Sequence, residues 1–176
     1  DMVQDVKPGG VFLANCGWDV EELTRRLPAA AKKYIAENNV QFYTIDAVKI
    51  ATEIGLGNKT NAILQAAFFK LSGILPIDDA VRYMQDAVRD TYGHKGEDVV
   101  AKNLKAIDAG LENLVKVEVP ESWKNPEADA PKAEVDVERP EIKGYVSYVM
   151  EEMNLMRGDR LPVSAFLDTE CGAVVP

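Results

Sequence analysis

Cysteine and histidine, the residues on which most metal and redox sites depend, are scarce in this sequence. Its cysteines are Cys16 and Cys171, and its one histidine is His94. Cysteines this far apart make no CxxC pair, so they offer no ligand set for zinc or an iron–sulfur cluster. We expect both to be reduced thiols, with Cys16 buried at the end of a strand. His94, in the turn YGHKG, is expected to be a surface residue rather than a catalytic base.

Positive charge and long apolar runs are also lacking. The formal net charge is -9, from 20 basic and 29 acidic residues. Such a surface repels phosphate backbones and anionic lipid, which disfavours nucleic acids and membrane surfaces as partners. No apolar run approaches the roughly 18 residues needed to span a bilayer, and no secretion signal stands at the start. We therefore expect a cytoplasmic protein.

Established catalytic motifs are absent too. The sequence has no GxGxxG after a strand, no P-loop, no HExxH and no GxSxG. The Gly-Leu-Gly at residues 55–57 resembles part of a phosphate-binding loop, but it follows a helix, and we predict that it ends that helix. Asp46 follows a predicted strand and has two interpretations. It caps the next helix, which is favoured, or it faces a ligand crevice at the carboxyl end of the strand.

Short apolar runs alternate with helical segments along the chain. Residues 11–16 (VFLANC), 40–45 (VQFYTI) and 116–119 (KVEV) are predicted strands. The alternation predicts an α/β fold with three layers, α/β/α, that is rich in helix and has a mostly parallel or mixed sheet. Three strands are few for so many helices. We therefore expect the sheet to be incomplete and the chain to belong to something larger.

Capping and periodicity define the helices. Asp19, followed by Glu22, predicts a capping box, and Pro28 predicts the start of a second helix. Residues 59–73 are apolar nearly all round, which predicts a helix covered on several sides. Two later helices each carry one apolar stripe, which predicts one buried face. The stripes are Ile77, Val81, Met84 and Val88, and then Val100, Leu104, Ile107, Leu111 and Leu114.

Composition changes in the last third of the chain. A proline-rich and acidic stretch with little periodicity predicts a linker or an arm that wraps a neighbour. Trp123, Val135 and Val137 are its candidate anchors. The predicted division is residues 1–119 as the main domain, 120–144 as the linker or arm, and 145–176 as the start of a following domain.

Two elements are predicted beyond the arm. Residues 145–156 predict a helix, and LPVSAF at residues 161–166 predicts a strand. Met150, Met153 and Met156 recur every three residues in the helix. This spacing is typical of a core or of a domain contact rather than of a cofactor site.

The segment Gly57-Asn58-Lys59-Thr60-Asn61 places two amides and one cation at the start of a predicted helix. Backbone N–H groups, the helix dipole and a lysine together suit a phosphate or a carboxylate. The alternative is that Asn58 caps the helix while Lys59 stays in solvent. The run Lys95-Gly96-Glu97 before a later helix is similar in kind and weaker.

Four stretches occur in one order along the chain: VFLANCGWDVEEL followed by LP; FYTIDAVKIATEIGLGNKTNAILQAAFFKLSGILP; YGHKGEDVVAKNLKAIDAGLENLVKVEVPESW; and GDRLPVSAF. Together they resemble the gamma-type domain (domain III) of the 2-oxoacid:ferredoxin oxidoreductases, and most closely the single-chain pyruvate enzymes. The resemblance covers nearly all of residues 9–123 and the last part of the chain, and it weakens over residues 124–144. Gamma-type domains begin with a glycine-rich strand–loop–helix that has no counterpart here, so the resemblance implies a fragment.

The resemblance implies a parent enzyme that decarboxylates pyruvate oxidatively to acetyl-CoA and CO₂. Such enzymes use thiamine diphosphate, Mg²⁺ and [4Fe–4S] clusters, pass electrons to ferredoxin or flavodoxin, and are expected to be homodimers. This chain has no Gly-Asp-Gly…Asn thiamine motif, since Gly158-Asp159 is followed by Arg160, and it has no CxxCxxCxxxC run. We therefore expect this piece to contribute no catalytic residue, metal ligand or resident cofactor, and to contact the other domains of its parent.

In the family that it resembles, the gamma-type domain helps to receive coenzyme A and moves as a lid. Carried onto this sequence, the resemblance implies that coenzyme A contacts Asn58, Lys59, Asn61, Lys95 and Asn103. A second hypothesis is a purely structural assembly module that binds no ligand. An independent Rossmann-like binder is disfavoured, because no phosphate-binding glycine loop follows either early strand.

Overall fold

A computed structural model describes residues 2–129 and 144–166 of the chain. The chain divides into two units, Met2–Glu127 and a second that contains Ala128–Pro176. Among the described residues, none of the helices is long and apolar enough to cross a membrane. Val135, Val137 and Cys171 lie outside the described residues, so the predictions made for them stay predictions.

The first unit contains a small sheet and six α-helices among its described residues. The strands are β1 (Val11–Asn15), β2 (Gln41–Ile45) and β3 (Val115–Lys116). The helices are α1 (Val20–Arg26), α2 (Ala29–Glu37), α3 (Ala47–Ile54), α4 (Asn61–Ser72), α5 (Ile77–Tyr92) and α6 (Glu97–Glu112). Short 3₁₀ turns lie at Met2–Asp5, Gly93–Lys95 and Glu121–Lys124.

The sheet is mixed and has the strand order β1-β2-β3. β1 pairs with β2 in parallel, and β2 pairs with β3 antiparallel. The third strand was predicted over residues 116–119. The observed strand starts one residue earlier and is two residues long. Val117 still donates its N–H to Phe42 O at 2.9 Å, but its side chain enters the core. The chain then turns at Pro120 into the 3₁₀ turn.

Helices cover both faces of the sheet, which gives the three layers that the alternation predicts. On one face, Phe42 of β2 packs in a cluster with Leu23 of α1 and Ile35 of α2. On the other face, Ile45 of β2 packs with Ile63 of α4 and with residues of α3 and α6. Alternate strand residues point to opposite faces, so one short strand serves both clusters. Cys16 is half-buried beside the first cluster, and is less buried than predicted.

Helix α5 packs on other helices rather than on the sheet. A third cluster joins Ala66 of α4, Met84 and Val88 of α5, and Ile107 of α6. Because α5 is covered by helices, it needs no strand to cover it, which explains part of why so few strands accompany so many helices. The apolar stripe of α6 is confirmed from Val100 to Leu111, whereas Leu114 follows the end of the helix and packs in the cluster that reaches the sheet. The stripe of α5 is confirmed at Val81, Met84 and Val88. Ile77, which the stripe predicted to be buried, is exposed because it begins the helix at the edge of the cluster.

The N-caps predicted at Asp19 and Asp46 form, but the Glu22 carboxylate, which was predicted to complete a capping box, instead accepts hydrogen bonds from Arg25 and Arg26. Asp19 Oδ1 accepts from Glu22 N–H at 2.8 Å, and Asp46 Oδ1 accepts from Lys49 N–H at 3.0 Å. Asp46 therefore caps α3, which is the favoured of its two interpretations. Gly55 ends α3 with φ +85°, a left-handed conformation that glycine adopts without steric penalty. The helix stop at residues 55–57 is confirmed.

The prediction that residues 59–73 form a helix covered on several sides holds for part of that segment. Ile63, Ala66 and Ala67 are buried, but Phe68 is 51% exposed and Ile74, just after the helix, is 68% exposed. Among the described residues, two sides of the helix pack in core clusters. One side packs in the cluster that reaches the sheet, and the other packs against α5 and α6.

Trp123 anchors the segment that follows the sheet. Its side chain is 1% exposed, and its ring N–H donates to Thr24 Oγ1 at 2.8 Å. Its ring packs with that of Phe42, with centroids 6.3 Å apart. The predicted anchoring role of Trp123 is confirmed, while the predicted division at residues 119 and 144 stays a prediction.

The second unit contains a helical segment and two 3₁₀ turns among its described residues. A π-helical turn (Val146–Met150) leads into α7 (Glu151–Asn154), which confirms the predicted helix. The strand predicted at residues 161–166 is wrong. Val163–Phe166 form a 3₁₀ turn in which Ala165 N–H donates to Pro162 O at 2.9 Å. Proline has no N–H to give to a sheet, which favours the turn.

The methionines of this helix do not form a core within the described residues. Met150, Met153 and Met156 are all exposed. The prediction that they form a core is wrong, because a spacing of three residues places side chains on a common face but does not determine what covers that face. The alternative prediction, a contact with another domain, stays a prediction.

Candidate functional site

A cleft of about 490 Å³ lies between α4, α5 and the start of α6. Its volume is within the range of ligand pockets in proteins, roughly 300–1,000 Å³. Helix α5 lines it with residues spaced three or four apart, and so with one face of that helix. The lining residues are Leu56, Lys59, Asn61, Ala62, Gln65, Phe69, Leu75, Ala80, Tyr83, Met84, Ala87, Val88, Thr91, Tyr92, Lys95, Val99 and Asn103.

Four of the five residues predicted to contact coenzyme A line this cleft. They are Lys59, Asn61, Lys95 and Asn103. The fifth, Asn58, is exposed in the turn before α4 and is not part of the lining. The structure thus brings together residues that are up to 44 positions apart in the sequence (103 minus 59).

Separate elements supply the polar lining of the cleft. Lys59 lies just before α4, and Asn61 is the first residue of that helix. Lys95 lies in the turn between α5 and α6, and Asn103 lies on α6.

The N-cap of α4 is not Asn58, which was one of the two predicted alternatives. The N-cap is Thr60, whose side chain makes no capping hydrogen bond. Asn58 therefore does not cap this helix. Lys59 is exposed directly before the cap, and Asn61 is the first helical residue. Both side chains are placed at the rim of the cleft by the turn that ends in Thr60.

Asn103 and Lys95 are each held by a contact within their own segment. Asn103 Nδ2 donates to Val99 O at 2.8 Å. This bond does not involve Oδ1 of the same amide, which is a hydrogen-bond acceptor. Lys95 Nζ lies 5.3 Å from the centroid of the Tyr92 ring, within cation–π range. The 3₁₀ turn Gly93–Lys95 brings this lysine back over the last residue of α5.

The charge of the cleft is opposite to that of the chain. Every lining residue is neutral except Lys59 and Lys95, whereas the chain carries a net charge of -9. Two acidic residues of the surrounding helices are paired with basic neighbours. Asp79 contacts Arg82 at 2.9 Å, and Asp98 contacts Lys102 at 2.6 Å. A cationic cleft on an acidic domain attracts anions.

The aromatic residues of the cleft were missed at the level of the sequence. Tyr83 and Tyr92 lie on α5, whose apolar stripe explained only the buried residues Met84 and Val88. A second row of aromatic and small side chains beside that stripe, which includes Tyr83 and Ala87, is the signal that marks the cleft. Gln65 of α4 was also missed, because it stands alone among apolar neighbours.

The carboxyl ends of parallel strands are where open α/β sheets bind ligands. A depression there is lined by Gly17, Trp18, Asp19, Glu21, Glu22 and Arg25. Asp46 lies close against Gly17 and is engaged in capping α3. The pKa of Glu22 is lowered by hydrogen bonds from Arg26 and Arg25. With three carboxylates, this depression suits an anion poorly.

Histidine, cysteine and acidic side chains do not gather into a metal site in the described part of the chain. Within residues 2–129 and 144–166, no group of three or more of them is placed to hold a metal ion. His94 is exposed in the turn Gly93–Lys95, as the sequence predicts.

Comparison with known proteins identifies the family. Residues 1–113 match the family described as POR, pyruvate ferredoxin/flavodoxin oxidoreductase. The chain is 43% identical over 171 residues to pyruvate-flavodoxin oxidoreductase of Enterobacter agglomerans, covering 97% of this chain and 14% of that protein. It is 43% identical over 166 residues to pyruvate:ferredoxin oxidoreductase of Moorella thermoacetica, covering 94% of this chain and 14% of that protein.

A third relative is pyruvate-flavodoxin oxidoreductase of Klebsiella pneumoniae, which is 41% identical over 172 residues, covering 98% of this chain and 14% of that protein. The chain belongs to the pyruvate ferredoxin/flavodoxin oxidoreductase family. It spans about a seventh of the length of these relatives.

Proposed function

We propose that this chain is part of an enzyme that decarboxylates pyruvate oxidatively to acetyl-CoA and CO₂ and passes the electrons to ferredoxin or flavodoxin. The names of its relatives support this reaction, and their length supports a larger parent. Thiamine diphosphate, Mg²⁺ and [4Fe–4S] clusters supply decarboxylation and electron transfer in the parent. We assign none of these groups to the described residues, which offer no metal-ligand cluster.

Within that parent, the chain is the gamma-type domain and acts as a lid that receives coenzyme A without contributing a catalytic side chain. The observation that carries this proposal is the cleft, which gathers Lys59, Asn61, Lys95 and Asn103 from separate elements. A lid serves the reaction by excluding water from a reactive intermediate.

Coenzyme A matches the chemistry of this cleft. The molecule carries phosphate groups and an aromatic base, and the cleft offers two exposed amines and three aromatic rings, those of Phe69, Tyr83 and Tyr92. Amines bind phosphate through charge-assisted hydrogen bonds, and tyrosine rings stack on flat aromatic groups. No acidic residue among those lining the cleft opposes the phosphates.

We propose the same organisation that the sequence suggests, with residues 1–119 as the gamma-type portion, 120–144 as an arm and 145–176 as the start of the next domain. The partners are then the other domains of the parent, a second copy of the parent in a homodimer, and ferredoxin or flavodoxin as acceptor. The exposed methionines of the second unit suit a domain contact of this kind.

Calorimetric titration of coenzyme A into the 176-residue chain tests the proposal. We expect saturable binding that Lys59→Ala weakens about tenfold, the effect of losing roughly 1.4 kcal/mol. Lys33→Ala is the matched control, because Lys33 is an exposed lysine on α2 outside the cleft. Absence of binding at millimolar ligand would reject the coenzyme role. Turnover of pyruvate by this chain alone would reject the assignment as a non-catalytic lid.

The second candidate is a purely structural module that holds domains together. It is favoured by the exposed apolar side chains of Phe68, Ile74 and Ile77 around the α4–α5 connection. Exposed apolar groups that cluster in this way are typical of interaction surfaces. The same titration separates the candidates, because a structural module shows no saturable response to coenzyme A.

A further inference from the structure

We propose that α5 is a movable helix, which detaches from α4 and α6 as a unit while those two helices stay together. The moving unit is residues 74–95, which comprise α5 and the 3₁₀ turn Gly93–Lys95 and lie between the glycine that ends α4 and the glycine that precedes α6. Because α5 is one wall of the cleft, its detachment opens the cleft on one side. This inference concerns the free protein and goes beyond the proposed function, since it does not depend on what the cleft binds.

Helices α4 and α6 are joined by contacts that leave little room for movement. A Cβ on Gly110 of α6 would stand 2.3 Å from the carbonyl oxygen of Ile63 in α4, so the two backbones touch. The amine of Lys70 on α4 also donates to the carbonyl oxygen of Leu111 on α6. Both helices contribute fully buried residues to the cluster that contains Ile45 of β2. The sheet, α4 and α6 therefore form one packed body.

Helix α5 is attached to that body through a smaller apolar contact. Its buried residues are Ala80, Met84 and Val88. The last two pack with Ala66 of α4 and Ile107 of α6 in the third cluster, which includes no strand residue. Parts of a protein with few buried apolar contacts open at a lower free energy than its core. We therefore expect α5 to open before the body to which it is attached.

Polar contacts of α5 are local to the helix. Asp79 pairs with Arg82, and Asp86 pairs with Arg89, in each case three positions along α5. Among residues 2–129 and 144–166, no side-chain hydrogen bond or ion pair joins residues 77–95 to another helix or strand. Detachment therefore costs apolar packing but breaks no ion pair and leaves no buried charge without its partner.

Glycines stand at both joints of the moving unit. Gly73 ends α4 with φ +60°, and Gly96 precedes α6 with φ +100° and ψ 156°. The angles at Gly96 lie in a region that essentially only glycine occupies. Beyond the adjacent residues, no atom lies within 4 Å of the Cβ position at either glycine. The backbone can therefore rotate at both joints without meeting packed atoms, as hinge positions require.

Hydrogen exchange of the 176-residue chain, followed by NMR at several low urea concentrations, tests the inference. An isolated helix of this length is marginal in water, so detached α5 frays and its amides exchange. We expect the slowest amides of residues 81–92 to be about thirtyfold less protected than those of residues 63–72 and 101–112. Their exchange should also depend less on urea, because detachment exposes less surface than global unfolding. Equal protection and equal urea dependence in the three helices would overturn the inference.

Gly96→Ala supplies a second readout. Alanine is strained at the backbone angles of this position while α5 is packed, and detachment relieves that strain, so we expect the α5 amides to lose about tenfold in protection. Gly93→Ala is the matched control, because Gly93 has φ -53° and open space at its Cβ position, and its effect should stay within about twofold. Unchanged α5 protection in a folded Gly96→Ala variant overturns the assignment of position 96 as a joint. Neither result bears on whether coenzyme A binds, so the proposed function stands or falls separately.

Discussion

Gly110 of α6 lies directly against the backbone of Ile63 in α4. A Cβ on Gly110 would overlap the carbonyl oxygen of Ile63 and would stand 3.0 Å from Ala66 Cβ. The two helices approach this closely only because position 110 has no side chain. Their contact supports the cleft, since α4 and α6 both line it.

Gly110→Ala is therefore expected to destabilise the chain by about 1–3 kcal/mol, because the overlapping atom belongs to the backbone and cannot rotate away. Urea unfolding measures the effect. Gly93→Ala is the matched control, because Gly93 has ordinary backbone angles, with φ -53°, and open space around its Cβ position. Equal stability of the two variants would contradict the close approach.

Trp123 provides the second prediction. Trp123→Ala removes a ring that is 1% exposed and its hydrogen bond to Thr24, so we expect a loss of about 3–5 kcal/mol in the free energy of unfolding. Trp123→Phe keeps much of the packing and is expected to lose less. If Trp123→Ala unfolds at the same urea concentration as the parent chain, the segment is not anchored as described.

Glu22 provides a prediction about pH. Hydrogen bonds from Arg26 and then Arg25 hold its pKa below the ordinary value for glutamate. A lowered pKa in the folded state means that the ion pairs contribute fully above the unfolded value and are lost as the pH falls through the folded value. Carbon-detected NMR titration of the Glu22 carboxyl should show a midpoint below the ordinary value.

Arg26→Ala is expected to raise that midpoint toward the ordinary value, because it removes the largest cause of the shift. A midpoint that is unchanged in Arg26→Ala would show that this pair does not set the pKa. Lys33→Ala again serves as a control, since Lys33 pairs with Glu37 rather than with Glu22.

Ile74 distinguishes exposed from buried apolar residues. Ile74→Ser should change the free energy of unfolding by no more than about 0.5 kcal/mol, since the side chain is 68% exposed. Ile63→Ala, at a fully buried position of the preceding helix, should lose about 2–5 kcal/mol. A large loss in Ile74→Ser would show that this side chain is covered.

Local signals in the sequence predicted most of the secondary structure. Asp19, Asp46 and Gly55 set helix limits through bonds and backbone angles within a few residues, and all three act as expected. Burial, which depends on residues distant in the sequence, was predicted less accurately. Phe68 has the same apolar character as its buried neighbour Ala67, and only the arrangement of α5 and α6 decides which of the two is covered.

The candidate site shows the same limit. Lys59 and Asn61 stood out because they precede a helix, and Lys95 because it lies in a polar turn between two helices. Tyr83 gave no such signal, since a tyrosine on an amphipathic helix is ordinary. Its place in the cleft follows from the packing of α5 against α4 and α6, which the sequence did not specify.

The location of bound coenzyme A is the most direct test of the account. Amide NMR spectra of the 176-residue chain, recorded during addition of coenzyme A, report which residues feel the ligand. We predict the largest saturable shifts at residues that line the cleft, with Lys59, Asn61 and Lys95 among them, and small shifts on α2. Shifts centred instead on residues 17–25, or none at millimolar coenzyme A, would contradict it.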